Sequence, residues 1–334
     1  MEKGSRAVDA TGRPAFELFE GYAASSVLAS FEMAGLLAML EEGNLTLDAV
    51  ADRGPDAAPL AAACLRYLGE RGLVIENSGR YRLTDYGHEV CRDKGYLVWL
   101  VGGYGEPLRR LDAFLGGAKR YGRDYPRDGR WVADGAAMLG GKDVVPHAMR
   151  LLESITFNRV LDLGCGNARF LLTVCSRFGA SGIGVDLSPE ACAEADKAIQ
   201  EAGQQDRVTV IEGDAGDVAG MPRLEETQLV VTFFLLHEIL AQGKERMVQY
   251  LRELSARLPE RSYLLAAEVQ PPVAATAGQR FTPEFTFVHA LMRQGLLSAE
   301  GWRDVLAQGG FTVLEAIDDQ MPGGIILLAE RSAR

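Results

Sequence analysis

The segment Arg159–Ser188, RVLDLGCGNARFLLTVCSRFGASGIGVDLS, restricts this chain more than any other stretch of its 334 residues. An apolar run, a glycine turn, an amphipathic stretch and a second apolar run ending in an acid spell strand, turn, helix, strand. That is half of a doubly wound nucleotide site. The turn reads Asp162-Leu163-Gly164-Cys165-Gly166. A dinucleotide loop runs G-x-G-x-x-G and keeps its helix N-terminus open for a pyrophosphate. Here Arg169 stands where the third glycine would be, and Asp162 sets a carboxylate at the mouth of the turn. Such an acid repels a pyrophosphate and welcomes a cation. Asp186, closing the second strand, can accept hydrogen bonds from both hydroxyls of a ribose. The ligand these residues suit joins a ribose to a positively charged amino-acid group.

S-adenosylmethionine has that composition, and the pattern continues downstream. Ser188-Pro189-Glu190 carries a serine cap, a first-turn proline and an early acid, which start a helix directly after Asp186. Val208–Ala215 reads as the third strand and its exit, Leu229–Phe234 as the fourth strand and Tyr263–Glu268 as the fifth. Phe311–Ile317 and Ile325–Ala329, joined through Met321-Pro322-Gly323-Gly324, read as a terminal hairpin. With this order of strands the chain resembles the class I methyltransferases. The resemblance implies an α/β fold, a Rossmann-like doubly wound sheet with a terminal antiparallel hairpin. It also implies that Asp162, Gly164, Gly166, Asp186, Leu187, Asp214, Ala215 and Phe233 contact S-adenosylmethionine, with Asp214 on the adenine amino group.

A chain of this length is expected to form more than one domain. Residues 15–41 read as one long helix, apolar on more than one face. Leu45–Ala51 reads as a short helix stopped by Gly54-Pro55, and Ala57–Arg71 as a second helix closed by Gly72. Leu73–Glu76 and Tyr81–Thr84 flank Asn77-Ser78-Gly79-Arg80, a hairpin by its turn chemistry. Helix, turn, helix, hairpin is a winged-helix layout. The division expected is a winged-helix dimerisation domain over 1–95, a connector and substrate-pocket segment over 96–150, and a methyltransferase domain over 151–334. Ala57–Arg71 is too poor in Arg, Lys, Asn and Gln to read a DNA groove. The net charge of −11 also argues against a phosphate-backbone partner. The segment is similar to the N-terminal domain that pairs subunits in small-molecule O-methyltransferases, so a homodimer is expected. No apolar run approaches the roughly 20 residues that span a bilayer, so no membrane association is expected. Five scattered cysteines suggest neither a disulfide framework nor a Cys-x-x-Cys metal site, which suits a reducing cytoplasm.

Ligands bind at the carboxyl ends of strands in open α/β sheets, and just past strand four stands Leu235-Leu236-His237-Glu238. This resembles the O-methyltransferase pattern in which a histidine, usually followed by Asp, is general base towards a hydroxyl; here Glu238 replaces the Asp. The chain has only four histidines, and His289, in Phe285-Thr286-Phe287-Val288-His289, falls in a later helix. By position alone His289 is a candidate core residue, sharing a helical face with Phe285, Val288 and Met292. Together, His237 and His289 resemble the histidine pair of the α-keto acid C-methyltransferases. That resemblance implies a metal at His237 and His289, iron favoured and zinc possible. It further implies methylation of the β-carbon of a 2-oxo acid through a metal-chelated enolate. Glu238 is a catalytic candidate as ligand, base or orienting acid. Arg127, with Arg123 as its rival, is the candidate cation for the substrate carboxylate. Trp99, Tyr104, Phe281 and Phe285 are candidates for the apolar pocket, within a less regular stretch at 94–150 and the later helix. His88 and His147 read as structural. Two other functions fit the sequence: a metal-independent O-methyltransferase with His237 as base, and a winged-helix regulator that senses S-adenosylmethionine.

Overall fold

The computed structural model describes residues 13–271, 282–317 and 323–332. The chain divides into two units, Met1–Leu139 and Gly140–Arg334.

The second unit is built on a seven-stranded sheet. Its strands are β3 (Arg159–Leu163), β4 (Ser181–Asp186), β5 (Val208–Glu212), β6 (Leu229–Phe233), β7 (Tyr263–Val269), β8 (Phe311–Ile317) and β9 (Gly324–Arg331). Their spatial order is β5-β4-β3-β6-β7-β9-β8. Strands β3 to β7 are parallel, whereas β9 runs antiparallel to both β7 and β8. The chain moves outward from β3 to β5, then returns to lay β6 on the other flank of β3. This reversal opens a crevice at the carboxyl ends of β3 and β6. The hairpin strands lie where the sequence puts them; Met321 and Pro322 of its connection fall outside the described residues.

Strand alternation decides which side chain meets which layer. Leu161, Leu163, Val230, Leu264 and Ala266 pack on one face against Tyr250, Leu251, Leu254 and Trp302. Val160, Val231, Leu265 and Leu328 pack on the other against Leu152, Leu171, Val174 and Ile199. With both faces covered, the central strands are apolar almost throughout, as buried parallel strands are. Asp162 shares the face of Val160, and Glu268 that of Leu264 and Ala266. Both acids are buried. The glycines of β4 admit close neighbours: a Cβ on Gly182 would lie 2.6 Å from Leu171 Cδ1, and one on Gly184 2.5 Å from Cys165 Sγ.

In the first unit, the helix expected over 15–41 is two helices, Pro14–Met33 and Leu36–Glu41. Gly35 between them takes φ 69°, a left-handed conformation that glycine adopts without steric cost. The short helix starts at Asp48, and the next spans Ala57–Glu70. Strands β1 (Val74–Asn77) and β2 (Arg80–Leu83) pair antiparallel around Ser78-Gly79, both at positive φ. Two such central residues make the turn that matches strand twist. Thr84 then caps the helix Asp85–Cys91 by accepting the Gly87 N–H at 2.9 Å.

The stretch expected to be irregular is largely helical. Lys94–Leu97 runs on through a π-turn, Val98–Gly103, into Tyr104–Arg109, and a further helix covers Gly129–Leu139. Gly95, Gly102, Gly103 and Gly135 within it are packing positions. A Cβ on Gly135 would lie 2.7 Å from Trp99 Cβ, one on Gly103 2.6 Å from Val132 Cγ2, and one on Gly95 2.8 Å from Met138 Cβ. Glycines on both helices let the two backbones approach closely, a use that composition does not separate from loop chemistry. No helix among the described residues is long and apolar enough to cross a membrane.

Candidate cofactor site and histidine pair

The turn after β3 has Gly164 at φ 75° and Gly166 at φ 52°. Positive φ at both bends the chain sharply out of the strand, and Ala168, also left-handed at φ 56°, leads into the helix Arg169–Phe178. Asp162 lies just inside this turn. Burial, with the Asp186 charge added, raises its carboxyl to about 7. Asp186 is already held: its Oδ2 accepts the Gly166 N–H at 2.8 Å, and its Oδ1 accepts the Ser188 N–H at 2.9 Å. A carboxylate has about four lone-pair sites, so each oxygen keeps capacity for a ribose hydroxyl. Ser188 also caps Pro189–Glu201 through the Ala191 N–H, as its sequence implies.

The remaining cofactor candidates ring the same strand ends. Leu187 is 71% exposed, an apolar side chain left open immediately after Asp186. Asp214 is exposed on the loop after β5, and Ala215 beside it is buried. Phe233, at the end of β6, packs on Phe170 with ring centroids 4.6 Å apart.

Past β6 the backbone turns abruptly. Phe234 takes φ 57°, strained for an aromatic residue, while its N–H still donates to Ala267 O at 2.8 Å. The helix Leu236–Leu240 follows and carries His237. One fully buried carboxylate, that of Glu268, fixes both the helix start and the ring. Its Oε1 accepts the Leu236 N–H at 2.7 Å, and its Oε2 lies 2.7 Å from His237 Nδ1. The sequence marks Glu238 as ligand, base or orienting acid; the acid seen on the His237 ring is Glu268. The signal for Glu268 was present in the sequence: a lone acid inside the apolar run Leu264-Leu265-Ala266-Ala267-Glu268-Val269.

His289 is buried on the helix Thr282–Leu291. Its Nδ1 lies 2.7 Å from the Phe285 carbonyl, and its ring stacks on that of Phe285. The structure brings the two histidines together: their ring centroids are 5.1 Å apart at an interplanar angle of 73°. Carbonyl and carboxylate both accept, so each neutral ring carries its proton on Nδ1 and its lone pair on Nε2. That is the tautomer of a metal-ligating histidine held by an outer oxygen. Metal–imidazole bonds of about 2.0–2.1 Å place two rings on one ion roughly 5 Å apart, so the pair fits a shared ion. Among the described residues no group of three or more His, Cys, Asp or Glu could hold a metal ion.

Three pocket candidates meet within the first unit. Trp99 and Tyr104 are buried with ring centroids 4.7 Å apart, and Arg127 Nη1 donates to Tyr104 Oη at 3.3 Å. Arg123, its rival, is exposed. Phe281 lies outside the described residues. His88 is exposed on the helix Asp85–Cys91, and His147 is half-buried on the helix Val145–Leu152.

Comparison with known proteins agrees with this architecture. A family described as "Methyltransferase domain" matches residues 160–260, which contain the cofactor turn and His237. The chain is 27% identical over 328 residues to the indolepyruvate C-methyltransferase of Streptomyces griseus, covering 95% of this chain and 94% of the relative. A methyltransferase of Aspergillus campestris, ungE', is 26% identical over 236 residues, 67% of this chain and 68% of that protein. Among solved structures, the mitomycin 7-O-methyltransferase MmcR superposes with a TM-score of 0.66 at 14% identity, over 95% of this chain and 97% of that one. CalO1, a methyltransferase in calicheamicin biosynthesis solved with S-adenosylhomocysteine bound, gives 0.60 at 20% identity, over 95% and 97%. The strand order, the acid-bearing glycine turn and these relatives define the chain as a class I S-adenosylmethionine-dependent methyltransferase.

Proposed function

We propose that the protein is a C-methyltransferase that alkylates the β-carbon of a 2-oxo acid, with a metal ion held by His237 and His289. One observation carries the proposal: two imidazoles from segments 52 positions apart lie with centroids 5.1 Å apart, each with Nδ1 against an oxygen. The printed name of the Streptomyces relative, an indolepyruvate C-methyltransferase, supports the same substrate class.

The β-carbon of a 2-oxo acid is a poor nucleophile until it loses a proton. A divalent or trivalent ion such as iron or zinc, when bound, supplies Lewis acidity towards the keto oxygen and one carboxylate oxygen of the substrate. His237 and His289 would hold the ion through Nε2, and Glu268 fixes the plane of the His237 ring. Asp162 offers its carboxylate to the cofactor's ammonium, and Asp186 offers lone pairs to the ribose hydroxyls. With the donor held by these groups, the C–C bond would form as the S–CH3 bond breaks, S-adenosylhomocysteine would leave, and the proton lost from the β-carbon would pass to solvent. Alignment of the two partners supplies much of the acceleration.

The His237–Glu268 contact also favours a second reading, an O-methyltransferase. A histidine held at Nδ1 by a buried carboxylate is an oriented general base towards a hydroxyl. Incubation with methyl-labelled S-adenosylmethionine and a panel of 2-oxo acids and phenols, with metal analysis after dialysis, separates the two. Labelled β-methyl 2-oxo acid, lost in chelator and restored by metal, is the expected result. His289→Ala is expected to abolish turnover with S-adenosylhomocysteine binding retained. Full activity on a hydroxyl substrate in chelator, with no metal retained, would leave the O-methyltransferase in its place.

A further inference from the structure

The loop Gly213–Gly216 after β5 carries exposed Asp214 beside buried Ala215, and its geometry is set from outside. Within the loop, Asp214 Oδ1 accepts the Gly216 N–H at 2.7 Å and the Asp214 carbonyl accepts the Asp217 N–H at 3.0 Å. Two side chains of the helix Lys244–Arg257 reach the same loop. Tyr250 Oη donates to the Ala215 carbonyl at 3.0 Å, and Arg246 Nη2 donates to the Gly216 carbonyl at 3.2 Å. Tyr250 is fully buried, and Arg246 is braced by Glu253 at 3.6 Å. The Ala215 carbonyl and the Gly216 N–H belong to one planar peptide unit. Tyr250 therefore fixes the plane whose N–H holds Asp214 Oδ1, and Arg246 fixes the next plane. What remains for a ligand is Asp214 Oδ2, on a carboxylate that can no longer rotate freely.

We infer that Tyr250 and Arg246 are positioning residues for recognition of the cofactor's base: they hold the Asp214 carboxylate ready to accept from the adenine 6-amino group. The inference rests on the reading that Asp214 faces the adenine. Ordering such a loop in advance removes an entropic cost that binding would otherwise carry. It also turns an adaptable acid into a selective one. Burial pushes the Tyr250 phenol up from its ordinary value, so it remains a donor across the working pH range.

The test compares the affinities of S-adenosylhomocysteine and S-inosylhomocysteine, whose base carries oxygen in place of the amino group, by titration calorimetry. Wild-type protein is expected to prefer the adenosyl ligand. Tyr250→Phe, which keeps the buried ring, is expected to shrink that preference by roughly three- to tenfold, the worth of one hydrogen bond. Arg246→Gln is expected to shrink it in the same direction. An unchanged preference, even with both affinities lowered equally, overturns the inference and leaves the two side chains as general loop supports. Equal binding of the two ligands by wild-type protein overturns the adenine reading of Asp214, and the inference with it. Should Tyr250→Phe fail to fold, Arg246→Gln carries the decision, because that side chain is 37% exposed.

Discussion

Glu268 is the residue on which the histidine pair turns. Its carboxylate takes the Leu236 N–H with one oxygen and the His237 ring with the other, fully buried. Glu268→Gln keeps the shape but loses the charge, and only one of its two terminal atoms can accept. Turnover or metal affinity is expected to fall about 10- to 100-fold, with about 1–3 kcal/mol of stability lost from the mispaired buried group. Steady-state kinetics, metal content and denaturant unfolding read the three effects; a variant unchanged in all would assign Glu268 to the fold alone. Asp162 makes a prediction about pH. Its carboxyl, raised to about 7 by burial and Asp186, favours the folded state while protonated. That contribution is complete below the ordinary carboxylate range and is lost as pH rises through about 7. A cationic ligand reverses the preference, so binding below 7 releases a proton. The affinity for S-adenosylhomocysteine is expected to climb with pH and level off above 7. Calorimetry at pH 6 in two buffers of different ionisation enthalpy detects the proton; no release would remove Asp162 from the ammonium site.

Elements differ in how plainly they show in the sequence. The parallel strands, the Ser188 cap and the Ser78-Gly79 hairpin turn were legible because each depends on local chemistry: apolar runs, a capping oxygen, residues that accept positive φ. The stretch at 94–139 was not, because Gly95, Gly103 and Gly135 serve contacts between helices. Gly135 lies against the Trp99 backbone and Cβ, and nothing within ten residues of it in the chain announces that neighbour. Gly135→Ala is therefore expected to overpack the crossing and cost about 1–3 kcal/mol, read as a lowered denaturation midpoint. Ala substituted at Gly140, where an added Cβ meets nothing within 4 Å, serves as the control. If the two variants unfold alike, Gly135 is not a close-packing position. The helix expected over 15–41 failed for a smaller reason: its apolar pattern continues across Gly35, but the backbone there is left-handed.

At the scale of the whole molecule, 46 acidic against 35 basic residues leave a net charge of −11, from which weak binding to a phosphate backbone is expected. The proposed homodimer has a concrete candidate surface. On the helix Pro14–Met33, Leu18, Phe19 and Tyr22 are 78%, 72% and 66% exposed, an apolar display that one isolated chain leaves in water. Sedimentation velocity is expected to show a dimer for the wild-type chain. The double substitution Leu18→Glu and Phe19→Glu is expected to shift it to monomer. A wild-type monomer at micromolar concentration would end that reading.

The sequence alone determined the class of sheet, the cofactor turn with its acid, and the two histidines as candidates, because strand runs, turn glycines and strand-end acids are local signals. Tertiary structure alone decided which groups meet. That the His237 and His289 ring centroids stand 5.1 Å apart, that Glu268 lays its carboxylate against the His237 ring, and that Tyr250 bonds the Asp214 loop all depend on long-range packing. Spacing along a chain carries no record of distance across a sheet; closure of the core around β6 and β7 creates those contacts.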